Sequence, residues 1–440
     1  KKGFRGQPTG WTPESVSRPE REAIRQLAKI NEVELSIHAT PNVAISGLGQ
    51  QGFSPEQQRE AIDEIKKAID FAADTADGGL VVFHAQEFPR PIFEKYKKEK
   101  FMQYPGEEER APLHVVDQRT GQLTPLPRNQ SLAVPIGGTD NPQRDEQGFI
   151  KWENKTVAEL EKEAIEKKQD PIKYIYNTFI AKEQEFEHGQ ERELAHRVKR
   201  AQENYEHLNE EAKKIEEQMK KSKALGEYEA IKILETYGAS SRPGTIEYKK
   251  LLKDPIGKFK EVLQESKANI DEQKEIERSY GRRAFERNET VKNAVPIEEF
   301  GIKNSAKAIA NAAMYGYEVE KEQKLSRPIT LVPENWTPEQ YGSHPQELKT
   351  LVQESRKSMV EDLVKKKGLD KDEAQKIAKE RIKATFDIGH LNMWKKYFDG
   401  TEKEFKKWVD DQVKDLVQSG IIGHVHLSDN FGYHDEHLTQ

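Results

Sequence analysis

Between Ala384 and Gln440 six side chains are candidate metal ligands: Asp387, His390, His426, Asp429, Asp435 and His437. Three more, His38, His84 and Glu334, each close an apolar run, in LSIHA, VVFHA and LVPEN. Imidazoles and carboxylates without cysteine suit zinc or manganese, and a carboxylate can bridge two ions. Such ions activate water and offset charge on a phosphate, or hold adjacent sugar oxygens. Each residue alone also has a plain structural reading. A histidine at a strand end can be a core residue, Glu334 a capping or salt-bridged carboxylate, and Asp429 a turn residue. As a set they say more, because His38, His84, Glu334, Asp387 and His426 all fall where a β-type run stops and a loop begins. In a β/α barrel that end of the strands is the catalytic face. His390, Asp435 and His437 could hold one further ion, or His390 could orient Asp387 instead.

The elements that must carry these residues alternate. Ala23, Ile24, Leu27 and Ile30 have helical spacing, and residues 33–39 alternate as a strand. Ser54 and Pro55 start a helix that runs to Asp77, Gly78-Gly79 ends it, and a buried strand leads to His84. Helix then strand at this spacing predicts parallel βα units. The pattern breaks at Gln86 and resumes near Ser305. It continues with strands ITLVPENW, ATFDIGH and IIGHVHLSD, separated by helices over 345–383, broken at Gly368, and over 401–420. Between the two parts, HVVDQRTGQLTPLP reads as a hairpin around Thr120-Gly121. Leu194, Val198, Ala201, Tyr205, Leu208, Ala212, Ile215 and Met219 follow at alternating steps of four and three, a coiled-coil seam. Residues 255–280 offer it an antiparallel partner helix.

The expected fold is therefore α/β: a (β/α)8 TIM barrel with a long, mostly α-helical coiled-coil insertion after its third strand. The barrel parts occupy 1–85 and 301–440, and the insertion 86–300. Five strands are countable. A first is expected before Lys1 and a last beyond Gln440, which leaves one unplaced.

The composition fits a chain with a large exposed helical part. Of 440 residues 34% are charged and the mean hydropathy is −0.92, well above the roughly 25% charge of ordinary domains. The net charge of −6 and pI of about 6.2 are not the basic footprint of a general nucleic-acid binder. The absence of cysteine excludes disulfides and thiolate metal sites. With no signal peptide or long apolar run, the expected location is the cytoplasm, without membrane attachment.

LSIHA, VVFHA, the PEN of Glu334, FDIGH and HVHLSD…DEHL resemble the successive strand-end motifs of the xylose-isomerase-like barrel superfamily. Within it they look most like those of the endonuclease IV family, over roughly residues 16–85 and 305–440. That family holds three zinc ions with nine side chains. The resemblance implies His38, His84 and Glu334 for the first ion, and Glu334, Asp387 and His426 for the second, with Glu334 bridging. It implies His390, Asp435 and His437 for the third; the ninth ligand, a Glu, would follow Gln440. The implied activity is a metal-dependent phosphodiesterase acting on nucleic acid, at abasic sites, with Glu334 and Asp387 at the catalytic centre. The sequence departs from the family after His38, where HATPNVAISG puts Pro41 in place of a DNA-contacting Tyr. Two alternatives stay open. One is a sugar isomerase or epimerase of the same superfamily, using one manganese or magnesium ion with Glu334, Asp387 and His426. The other is a scaffold that works through its coiled coil by self-association or by binding a protein partner.

Overall fold

Five of the apolar runs form one parallel sheet. A computed structural model describes residues 12–41, 43–139, 141–237, 244–428, 431–432 and 434. The sheet order is β1 (Ile37–His38), β2 (Gly79–Ala85), β3 (Ile329–Asn335), β4 (Ala384–Asp387) and β5 (Ile422–His426), so neighbours in sequence are neighbours in space. Every pairing is parallel, with Val82 opposite His38, Glu334 opposite His84, Thr385 opposite Glu334, and His426 opposite Asp387. The architecture is thus α/β around a five-stranded parallel sheet.

Two strands are shorter than their apolar runs. Glu32 adopts a left-handed conformation (φ 53°) and Val33 is exposed, so the run 33–39 pairs with β2 only at Ile37 and His38. The run 384–390 stops at Asp387, whose carboxylate caps the next short helix, Ile388–Asn392. His390 therefore sits on a helical turn rather than a strand.

The helices form where caps and spacing put them. The Ser17 and Glu20 side chains reciprocally cap Arg18–Ile30, and Ser54 caps Pro55–Ala76. Asp77, Gly78 and Gly79 then take φ of 57°, 99° and 103°, a sharp reversal into β2 that glycine allows. Gly368 (φ 68°) ends the helix Pro345–Lys367 where the break is expected, and Lys371–Arg381 follows. Helices Ile297–Gln323 and Glu402–Ser419 complete the set.

Alternation along the strands decides what faces what. Ile37, Val81, Phe83, Leu331, Ala384 and Phe386 join Ile65, Ile69, Ile309, Leu348 and Leu351 of the helices in the main core. The alternate positions His38, His84, Glu334 and Asp387 therefore face away from those helices, in company with the buried Val82 and Val332. Close packing sets the sheet-to-helix distance: a Cβ on Gly316 would stand 3.0 Å from Ile329 Cγ2.

The chain divides into two compact units. One comprises Lys1–Leu132, Lys155–Tyr176 and Asn293–Gln440; the other Ala133–Asn154 and Asn177–Lys292. The segment 86–300 thus contributes to both. In the first unit Pro112–Asp117 and Leu123–Pro127 make the expected hairpin, and Ala294–Pro296 adds a third strand to it.

The second unit is built on two long helices, Pro171–Lys221, whose first turns belong to the sheet unit, and Pro255–Lys292. Arg287 pairs with Glu187, and Phe259 clusters with Leu208 and Ile215, so the two helices run antiparallel. Leu194, Val198, Leu208 and Ile215 of the expected seam are buried. A further helix, Lys223–Thr236, supplies Ala230, Ile233 and Leu234 to the same cluster, which makes it more than a two-helix hairpin. Met219 of the expected seam is instead exposed, and lies over Gly226 of that helix. Among the described residues no helix is long and apolar enough to cross a membrane.

Candidate metal centre

Strand register builds the site. His84 and Glu334 are cross-strand partners on β2 and β3, as are Asp387 and His426 on β4 and β5. Paired residues of parallel strands point the same way about 5 Å apart, so the two pairs meet over the ends of the strands.

Glu334 is at the centre and is buried. Its Oε2 lies 3.0 Å from His38 Nε2 and 3.7 Å from His84 Nε2. Its Oε1 lies 2.5 Å from His426 Nδ1 and 3.9 Å from His390 Nδ1. Each carboxylate oxygen thus faces its own set of imidazoles. Burial pushes the Glu334 carboxyl up, but hydrogen bonds with His38 and His426, and the charges of His426 and His390, more than offset it and hold it well below the usual carboxylate range.

Asp387 is fully buried beside it. Its Oδ1 accepts from the His390 backbone N–H (2.9 Å) and from Ser428 Oγ (3.0 Å). Its Oδ2 has no hydrogen-bond partner among the described residues, although His426 Nδ1 stands 3.7 Å away. His84 is oriented by stacking on Trp336, with centroids 4.5 Å apart, and meets His38 edge-on at 4.9 Å.

Backbone carbonyls set two tautomers. A carbonyl can only accept, so His38 Nδ1 donates to Ala39 O (2.7 Å) and His390 Nδ1 donates to Asn335 O (2.8 Å). This puts the lone pair on Nε2 in both neutral rings, the arrangement found in metal-ligating histidines.

The residues fit a divalent ion on three grounds. With Nδ1 committed to Ala39 O, a neutral His38 ring would turn its Nε2 lone pair on a carboxylate oxygen at 3.0 Å, so the contact needs a proton or a cation between the two atoms. Two ligands of a tetrahedral ion with bonds of about 2.0–2.1 Å stand about 3.3 Å apart, and the 3.0 and 3.7 Å separations at Oε2 bracket that. The ion-pair partners of Glu334 and Asp387 among the described residues are all histidines, so a cation would relieve two buried carboxylates that lack Lys or Arg. His38, His84 and Glu334 form one group able to hold a metal ion, and Glu334, Asp387 and His390 another, each with its ligand atoms within 4.8 Å of one another.

Six expected site residues therefore converge: His38, His84, Glu334, Asp387, His390 and His426. Asp429, Asp435 and His437 lie outside the described residues. Asn335, Trp336 and Ser428 also shape the site and are not among the sequence candidates. Asn335 and Trp336 directly follow Glu334, and Ser428 lies two residues after His426, so adjacency to a ligand was the available signal. No family model, no curated protein and no solved structure matches the chain.

Proposed function

We propose that the chain is a metal-dependent phosphodiesterase of the endonuclease IV kind, acting on nucleic acid at abasic sites, and that its sheet is part of a (β/α)8 barrel. Burial along β2 and β3, together with the gathering of metal-competent residues at the strands' C-terminal ends, supports the barrel. The observation that carries the activity is the division of Glu334: one oxygen faces His38 and His84, the other His426 and His390. A carboxylate so placed suits two ions, which a hydrolase uses and a single-ion sugar isomerase does not need.

His38, His84 and Glu334 would hold one ion, and Glu334, Asp387 and His426 a second. Zinc bound there would supply Lewis acidity, making water acidic near neutral pH and offsetting charge on a phosphate. The protein's own part is preorganisation. Glu334 stays ionised because imidazoles surround it on both sides. Asp387 is held by Ser428 Oγ and the His390 N–H, which keeps Oδ2 turned toward the imidazoles. Trp336 covers one face of His84 and keeps water from it.

The test is metal content of the purified chain by plasma mass spectrometry, followed by cleavage of a duplex carrying one abasic site. Two or more zinc ions with cleavage beside the lesion is the expected result. One manganese or magnesium ion with aldose–ketose interconversion would replace this function by the isomerase. No metal after reconstitution would overturn both and leave the scaffold function.

A further inference from the structure

The ladder between β3 and β4 is short: Glu334 opposite Thr385 is its one register pair, preceded by an isolated bridge between Leu331 and Ile382. Past Glu334 the two backbones no longer pair directly, yet Asp387 lies two residues further along β4. Asn335 spans the gap. Its side-chain Nδ2 donates to Asp387 O (3.0 Å) and its Oδ1 accepts from Asp387 N–H (2.9 Å), so the amide acts as one more peptide unit of the ladder. Its main-chain carbonyl accepts from His390 Nδ1 (2.8 Å). The residue is fully buried, and all three bonds run to metal-competent residues or their backbone.

We infer that Asn335 is a positioning residue for the metal centre: its side chain fixes where the Asp387 carboxylate stands, and its main-chain carbonyl holds the His390 ring in place. A short polar side chain is needed here, because Asn alone among residues of this size carries a donor and an acceptor side by side. An apolar residue would bury the Asp387 N–H and C=O unpaired. The Asp387 carboxylate would then lose its fixed height over the sheet, although every ligand remained.

This rests on the metal reading above, and the experiment separates the two. Zinc affinity of the full chain is measured by competition with a chromophoric chelator, and the cobalt(II) absorption spectrum is recorded for the wild type, Asn335→Ala, Asn335→Ser and Leu331→Ala. Leu331 is buried on the helix side of the same strand and serves as the control for simple destabilisation. Asn335→Ser keeps a polar group and room for water, so it provides a folded variant if the alanine does not fold. Apo-protein thermal unfolding is recorded for each. The expected result is that the Asn335 variants bind zinc about 10–100-fold more weakly, the cost of removing a group that orients a ligand, with an altered cobalt spectrum. Leu331→Ala binds as the wild type despite its lower stability. Asn335 variants with wild-type affinity and spectrum would overturn the inference and leave the metal centre standing. So would an equal loss of affinity in Leu331→Ala. A wild type that binds no zinc or cobalt would overturn both.

Discussion

Glu87→Gln should remove a loss of stability that the wild-type sheet unit suffers as pH rises from about 5 to 8. Glu87 follows β2 and its carboxyl is fully buried. Oε2 accepts from Ser46 N–H (2.8 Å) and Ser305 Oγ (2.6 Å), while Oε1 has no hydrogen-bond partner among the described residues. Burial raises its pKa from 4.5 to about 7, and the hydrogen bonds from Ser305 and Ser46 offset only part of that. The folded protein therefore holds this proton more tightly than the unfolded chain does. The resulting stability is full below about pH 4.5 and is lost as pH rises through about 7. A shift of about 2.5 units at 1.36 kcal/mol per unit amounts to about 3 kcal/mol.

Glutamine keeps an acceptor for Ser46 and Ser305 but cannot ionise. Its NH2 falls where Oε1 has no hydrogen-bond partner, so the variant is about 1–3 kcal/mol less stable at pH 5. Between pH 5 and 8 the wild type should lose ground to it by most of the 3 kcal/mol. Urea unfolding of both proteins across that range, followed by tryptophan fluorescence, measures the difference, and other titrating groups cancel in the comparison. Trp336, Trp394 and Trp408 all lie in the sheet unit, so the signal is dominated by the part that contains Glu87. Parallel pH profiles for the two proteins would refute the argument.

Three other substitutions test separate parts of the structure. Asp387→Asn keeps an oxygen for Ser428 and the His390 N–H but removes a charged ligand; the chain should stay folded by circular dichroism and lose at least one bound ion by plasma mass spectrometry. Arg90 makes a buried bidentate pair with Glu347 (2.6 and 2.9 Å), so Arg90→Met should destabilise the sheet unit by about 3–5 kcal/mol in urea, because a buried carboxylate loses the guanidinium that bonds both of its oxygens. Leu208→Ala should lower the stability of the helical unit by about 3 kcal/mol, read from the helical circular dichroism signal, without changing metal content.

Much of this was legible in the residue spacing. Apolar runs located all five strands of the sheet, and Ser54 and Gly368 marked helix ends that the structure keeps. What depends on contacts distant in sequence was not legible. The length of β1 follows from which residues of β2 it meets, and spacing within 33–39 carries no information on that. The helical turn that holds His390 begins because Asp387 caps it, a competition between strand and cap that apolar pattern does not resolve. The helical seam showed Leu208 and Ile215 but not Lys223–Thr236, whose apolar residues lack a clear stripe although Ala230, Ile233 and Leu234 are buried. Of the site residues, those able to carry charge or to bind a metal stood out by type. Asn335 and Ser428 did not, because their importance lies in which backbone or carboxylate they reach across 52 and 41 residues of sequence.

The centre's precision therefore resides in the packing of the sheet as much as in its ligands. The interval of about 250 residues between His84 and Glu334 leaves their alignment to the β2–β3 ladder, which pairs seven residues from Gly79 with Ile329 to Ala85 with Asn335. A slip of one residue there would turn Glu334 toward the helices and bring Pro333 or Asn335 over the site. The apolar positions between the ligands forbid it: Val81 and Phe83 pack on the helices, whereas the register that keeps them there also keeps His84 on the opposite face. Toward β4 the ladder thins to the single pair Glu334–Thr385, and a polar side chain takes over from the backbone. The site is thus rigid where two strands share a long core-packed register, and depends on one amide where they do not.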